Sequence, residues 1–168
     1  MENLSGRDLL GAEQPKDIHV PTTADLYDAL ESILWFWPGV FVQLVRGGEI
    51  TRPFDLFRRV RLTGQYEGLV MLKTSESLGG ILARALLEDK PTSPEDAFSE
   101  FSNMFCGHIM NKIRVSDKVA FRHFLPLAVP EASRPGRPAD ARMTVAIESV
   151  VLDVELWINP THTALDGD

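Results

Sequence analysis

Between Ser93 and Arg114 the apolar residues Phe98, Phe101, Phe105, Ile109 and Ile113 recur at intervals of three and four, the period of one helix face. Asp96, Glu100, Asn103, Gly107, Asn111 and Arg114 repeat at the same period and form a second, polar stripe. The start of this helix is well marked. Ser93 can cap it, Pro94 suits its first position, and Glu95 and Asp96 complement the positive end of the helix dipole. Two shorter helices precede it. One spans about 23–37, with Thr22 or Thr23 as cap, Leu26, Leu30, Ile33, Leu34 and Trp37 facing inward, and Pro38-Gly39 as stop. The other spans about 76–88, with Thr74 or Ser75 as cap and Leu78, Ile81, Leu82, Ala85 and Leu86 on its apolar side.

Elsewhere the pattern is that of strands, at 40–45, 57–63, 66–73, near 119–125, at 142–149 and at 150–158. Gly64-Gln65 between the second and third of these predicts an antiparallel hairpin. Residues 126–138 carry Pro126, Pro130, Pro135, Pro138 and Gly136, and read as a loop. Helix, strands, two helices and strands in that order predict an α+β fold, a mainly antiparallel sheet with helices packed on one face. Residues 1–21 read as an N-terminal arm, 22–159 as one domain and 160–168 as a tail.

Composition narrows the function. The 168 residues suit one domain with a substantial core. A formal net charge of −7 disfavours nucleic acid or an anionic membrane as partner. The single cysteine, Cys106, excludes an intramolecular disulfide and fits a reducing compartment. The N-terminal MENLSGRDLL lacks the basic-then-apolar order of a secretion signal, and the apolar stretch 33–42 is too short to span a bilayer. A cytoplasmic protein with no membrane insertion is the expectation.

Most chemical candidates have plain readings. His19, His108, His123 and His162 show no metal-ligand spacing, so no metal site is expected. Cys106 flanks the apolar face and reads as a buried structural thiol. Arg58, Arg59 and Arg61 are either a solvated strand face or half of an anion site, and the sequence does not fix their register. The Gly47-Gly48 and Gly79-Gly80 pairs lack phosphate-loop spacing, and the second is expected to loosen or bend its helix. The polar stripe is the remaining candidate. Glu100 and Asn103, three apart, place a carboxylate and an amide side by side, on a solvated face or on a working surface. Gly107 lies on the same stripe, costs about 1 kcal/mol relative to alanine within a helix, and leaves a gap through which another backbone can approach.

The string Glu-Phe-Ser-Asn-Met-Phe-Cys-Gly-His at 100–108 resembles the core motif of the CheC/CheX/FliY chemotaxis phosphatases, in which Glu-x-x-Asn is followed by Met, an apolar residue, a small residue and Gly. It is most similar to CheX. The resemblance extends to the acidic lead-in EDAFSE and to the strand and helix at 66–88, and covers about 22–158. His108 stands where CheX usually has Asn, and the first helix lacks the second Glu-x-x-Asn of CheC.

The resemblance implies a phosphatase that hydrolyses the phosphoaspartate of a CheY-like response regulator. Asn103 would orient the attacking water, and Glu100 would pair with the regulator's lysine. Mg2+ would be supplied by the regulator and not by this chain. CheX dimerises, so the resemblance also implies a homodimer, with the C-terminal strands expected to provide the sheet edges. Asp96, Gly107 and Asn111, on the same stripe, are the expected partner contacts from spacing. The alternative is a non-catalytic receiver-binding or scaffold protein on the same fold, like the flagellar switch protein FliM, whose related domain lacks the catalytic pair.

Overall fold

The computed structural model describes residues 20–35, 42–44, 54–63, 67–85, 92–113, 122–123, 125–130 and 134–159. Residues 1–19 of the expected arm at 1–21, the stop at Pro38-Gly39, the hairpin turn at Gly64-Gln65, the helix end at 86–88 and the tail at 160–168 lie outside these residues. The elements in chain order are α1 (Thr23–Leu34), β1 (Val42–Leu44), β2 (Leu56–Thr63), β3 (Glu67–Thr74), α2 (Glu76–Ala85), α3 (Pro94–Ile113), β4 (Arg122–His123), β5 (Leu127–Ala128), β6 (Ala141–Ile147) and β7 (Val150–Asn159). The fold is α+β, as the sequence predicts.

The strands form one sheet in the order β1-β6-β7-β3-β2-β4, with β5 beside β2, and every pairing described is antiparallel. The C-terminal strands are therefore not edges: β6 lies between β1 and β7, and β7 between β6 and β3. The β6–β7 hairpin turns through Glu148 and Ser149, both at positive φ (49° and 67°), as a two-residue turn between twisted strands requires.

Period-two alternation assigns the faces. Leu56, Val60 and Leu62 of β2, Val70 and Leu72 of β3, Met143, Val145 and Ile147 of β6, and Leu152, Val154 and Leu156 of β7 join the helices in one core. α3 packs against both α1 and α2 and against β2. Its Phe98, Phe101 and Phe105 are fully buried and stack in succession at 6.3 and 6.1 Å between ring centroids.

Each helix start has its own device. Thr22 forms a reciprocal capping box with Asp25 at α1. The Ser93 hydroxyl accepts from the Asp96 N–H at α3 (3.1 Å). At α2 the cap is non-local, since the Glu76 N–H donates to the Asp55 carboxylate at 2.6 Å.

The opposite face of the sheet is also covered. The chain leaves β5 beside β2 and returns to β6 on the far side of β3 and β7. Within the predicted 126–138 loop, Leu127–Ala128 instead form β5 at the edge of β2, and residues beyond it reach that face. Val129 and Ala139 pack on Leu69, Met71 and Trp157. The Trp157 indole N–H donates to the Arg137 carbonyl (3.0 Å), and Arg137 donates to the carbonyl of Ile158 (3.0 Å). The segment is a strap, fixed by side chains distant in sequence.

Beside it runs a buried row of charges. The Lys73 ammonium sits 2.8 Å from Asp153 and 2.9 Å from Glu155, and both carboxylates have no exposed surface. Arg142 and Thr144 also bond Asp153, and Arg134 of the strap bonds Glu155. Burial alone would push the Asp153 carboxyl up; the bonds from Arg142 and Lys73 outweigh it and hold the group below its ordinary value.

Candidate functional site: the polar stripe of helix α3

The aromatic face of α3 turns its polar stripe away from the sheet. Asp96, Glu100 and Asn111 are exposed, while Asn103 and Gly107 are half-exposed. Glu100 and Asn103 thus lie one turn apart on an accessible face, with their Cβ atoms about 5–6 Å apart as in any helix. Arg114, the last member of the stripe, lies outside the described residues. His108 is half-exposed and belongs to neither the aromatic face nor the stripe.

Chemically the stripe presents carboxylates, an amide and a backbone exposed at glycine. Glu100 offers a carboxylate to a cationic group, and Asn103 an amide beside it. An amide both donates and accepts, so it can hold a water without adding negative charge. Among the described residues no group of three His, Cys, Asp or Glu side chains is placed to hold a metal ion. Cys106 is fully buried behind the stripe, and burial pushes its thiol well above the ordinary value, which makes it a poor nucleophile.

The pose of α3 is set by two residues that local sequence signals do not reveal. Arg58 of β2 faces the helices and is only 5% exposed, so the expected solvated arginine face does not include it. Its Nε donates to the Ser99 hydroxyl (2.8 Å), one terminal nitrogen donates to the Glu95 carbonyl (2.9 Å), and the guanidinium lies 5.7 Å from the centre of the Phe98 ring. Arg59 and Arg61 alternate to the opposite face, where Arg61 pairs with Glu67 at 3.1 Å. Period-two counting along β2 is the signal that separates Arg58 from its neighbours, but only once the strand's register is known. The second residue is Gly79. It brings α2 against the first turn of α3, where a Cβ would stand 2.6 Å from the Pro94 carbonyl oxygen.

No protein-family model matches the chain, and no curated protein matches it by sequence. Solved structures share its fold. A chemotaxis protein CheX from Desulfovibrio desulfuricans aligns with a TM-score of 0.57 at 14% identity, over 82% of this chain and 98% of that one. A putative chemotaxis protein from Desulfovibrio vulgaris Hildenborough gives 0.58 at 16% identity, over 81% and 95%. The CheX of a CheX–CheY–BeF3–Mg2+ complex from Borrelia burgdorferi gives 0.56 at 12% identity, over 83% and 99%. The chain therefore has a CheX-like fold. Among its described residues no helix is long and apolar enough to cross a membrane.

Proposed function

We propose that the protein binds a CheY-like receiver domain through the polar stripe of α3 and hydrolyses its phosphoaspartate. One observation carries the reading: Glu100 and Asn103 lie side by side on an accessible helix face, in a fold shared with a CheX solved together with CheY. In this reading the Asn103 amide orients a water in line with the phosphorus atom. Such a reaction needs positioning and charge neutralisation more than covalent chemistry from the phosphatase. The Glu100 carboxylate docks on the receiver's lysine and sets the register, with Asp96, Gly107 and Asn111 along the contact. Mg2+ would be held by the receiver. The reading includes a cytoplasmic homodimer, whose mass sedimentation velocity would report.

The test mixes the protein with phosphorylated receiver domains from the same source and follows loss of phosphate. Acceleration over spontaneous decay, abolished by Asn103→Ala and by Glu100→Ala, is the expected result. Binding without acceleration would replace this reading with the non-catalytic receiver-binding one. Neither binding nor acceleration with any receiver would remove both.

A further inference from the structure

We propose that Arg58 is a positioning residue that fixes the rotation of α3, and with it the aim of Glu100 and Asn103; the link to catalysis rests on the phosphatase reading above. The aromatic face supplies most of the burial of α3, but apolar contacts are non-directional and tolerate a slight turn of the helix about its axis. The Arg58 contacts do not. Nε–H donates to the Ser99 hydroxyl, the Ser99 hydroxyl donates to the Glu95 carbonyl (2.8 Å), and a second Arg58 nitrogen donates to that same carbonyl. A third nitrogen donates to the Phe57 carbonyl of the arginine's own strand at 3.0 Å. The guanidinium is planar and its donors are fixed in a fork, so both ends of the link are held in direction as well as distance.

The clamp lies where rotation matters. Ser99 directly precedes Glu100 and lies one turn before Asn103. Side-chain tips lie about 5–6 Å from a helix axis, so a turn of roughly 10° moves them about 1 Å. A misplacement of that size can cost on the order of a hundredfold in rate. Burial draws the Arg58 guanidinium downward from its ordinary value, and Glu95 and Asp96 at the start of α3 oppose that by favouring the charge. A buried cation at a helix start is otherwise unfavourable. Here the two carboxylates and the three acceptor oxygens offset that cost.

The test uses Arg58→Lys, Arg58→Met and Ser99→Ala in the whole chain, with steady-state hydrolysis of a phosphorylated receiver and hydrogen exchange of the α3 amides. Lysine keeps the charge but replaces the planar fork with a single rotatable ammonium, which cannot hold Ser99, the Glu95 carbonyl and the Phe57 carbonyl in fixed directions. The expected result is a fall in kcat of about tenfold or more in Arg58→Lys, with KM within about threefold, a retained cooperative melt, and faster exchange at 98–103. Ser99→Ala should shift kcat the same way and add little when combined with Arg58→Lys. If Arg58→Met does not fold, the other two variants carry the test. Wild-type kcat in folded Arg58→Lys and Ser99→Ala would overturn the proposal, as would a loss confined to KM. If the wild type hydrolyses no receiver, the phosphatase reading fails by itself. Exchange at 98–103 then decides the clamp: faster in the variants supports it, and unchanged overturns it.

Discussion

Gly79 and Pro94 are in contact at a distance that leaves no room for a methyl group: a Cβ on Gly79 would stand 2.6 Å from the Pro94 carbonyl oxygen and 2.9 Å from its Cβ. Alanine is normally better than glycine inside a helix by about 1 kcal/mol. At Gly79 the sign should reverse. Gly79→Ala is expected to destabilise by about 1–3 kcal/mol, the usual cost of overpacking, since α2 and α3 must separate. At the adjacent Gly80 a Cβ would meet only Arg84 at 3.7 Å, so Gly80→Ala should stabilise by about 0.5–1 kcal/mol. Denaturant unfolding of the two variants reads both signs.

The charges beneath the strap should govern acid stability. Arg142 and Lys73 hold the Asp153 carboxyl below the value it takes unfolded. Its contribution is therefore complete above about pH 4 and is lost as the pH falls through the folded value. Unfolding free energy measured against pH should drop more steeply below about pH 4 in the wild type than in Asp153→Asn. At neutral pH, Lys73→Met removes the cation between two fully buried carboxylates and should cost about 3 kcal/mol.

The β6–β7 turn holds Ser149 at a φ of 67°, a region in which glycine is far less strained. Ser149→Gly should raise stability by about 0.5–1 kcal/mol, part of the relief being offset by the greater freedom of the unfolded chain. Thermal unfolding should show a higher midpoint, with no change in hydrolysis.

If Glu100 docks on a receiver's lysine as proposed, that docking should depend on salt. An exposed ion pair weakens as the Debye length falls from about 10 Å at 0.1 M to about 3 Å at 1 M. Over that range KM for a phosphorylated receiver should rise more for the wild type than for Glu100→Gln, while Asn103→Ala lowers kcat with little effect on KM. Equal responses of the two variants would contradict this division of roles.

The sequence revealed what local signals encode. The Thr22 cap, the β2–β3 pairing and the amphipathic α3 all follow from neighbours within a turn or an alternation. Alternation weakens in β7 because residues 152–158 are buried on both faces, so Asp153 and Glu155 interrupt an apolar run without marking an exposed side. The strap has no local pattern; its order comes from partners such as Trp157 and Glu155, which lie about twenty residues away in sequence. Arg58 looked like its neighbours Arg59 and Arg61 because three adjacent-looking charges carry no information about which side of a strand each one takes. The stripe was visible as a period, while its accessibility required knowing that nothing in the described fold covers Glu100 and Asn111.

The place of β7 between β6 and β3 also bears on how the chain is made. A nascent chain that has not yet exposed residues 150–159 can pair β2 with β3 and dock α3 on them, but it lacks the strand that hydrogen-bonds that half of the sheet to β6 and β1. Sheet completion waits for one late strand whose partners on the β3 side were synthesised some eighty residues earlier, and such long-range closure is slow. Until then the row that will meet Asp153 and Glu155 holds Lys73 without its anions. Closure of the sheet and neutralisation of its buried cation thus both depend on the same late strand.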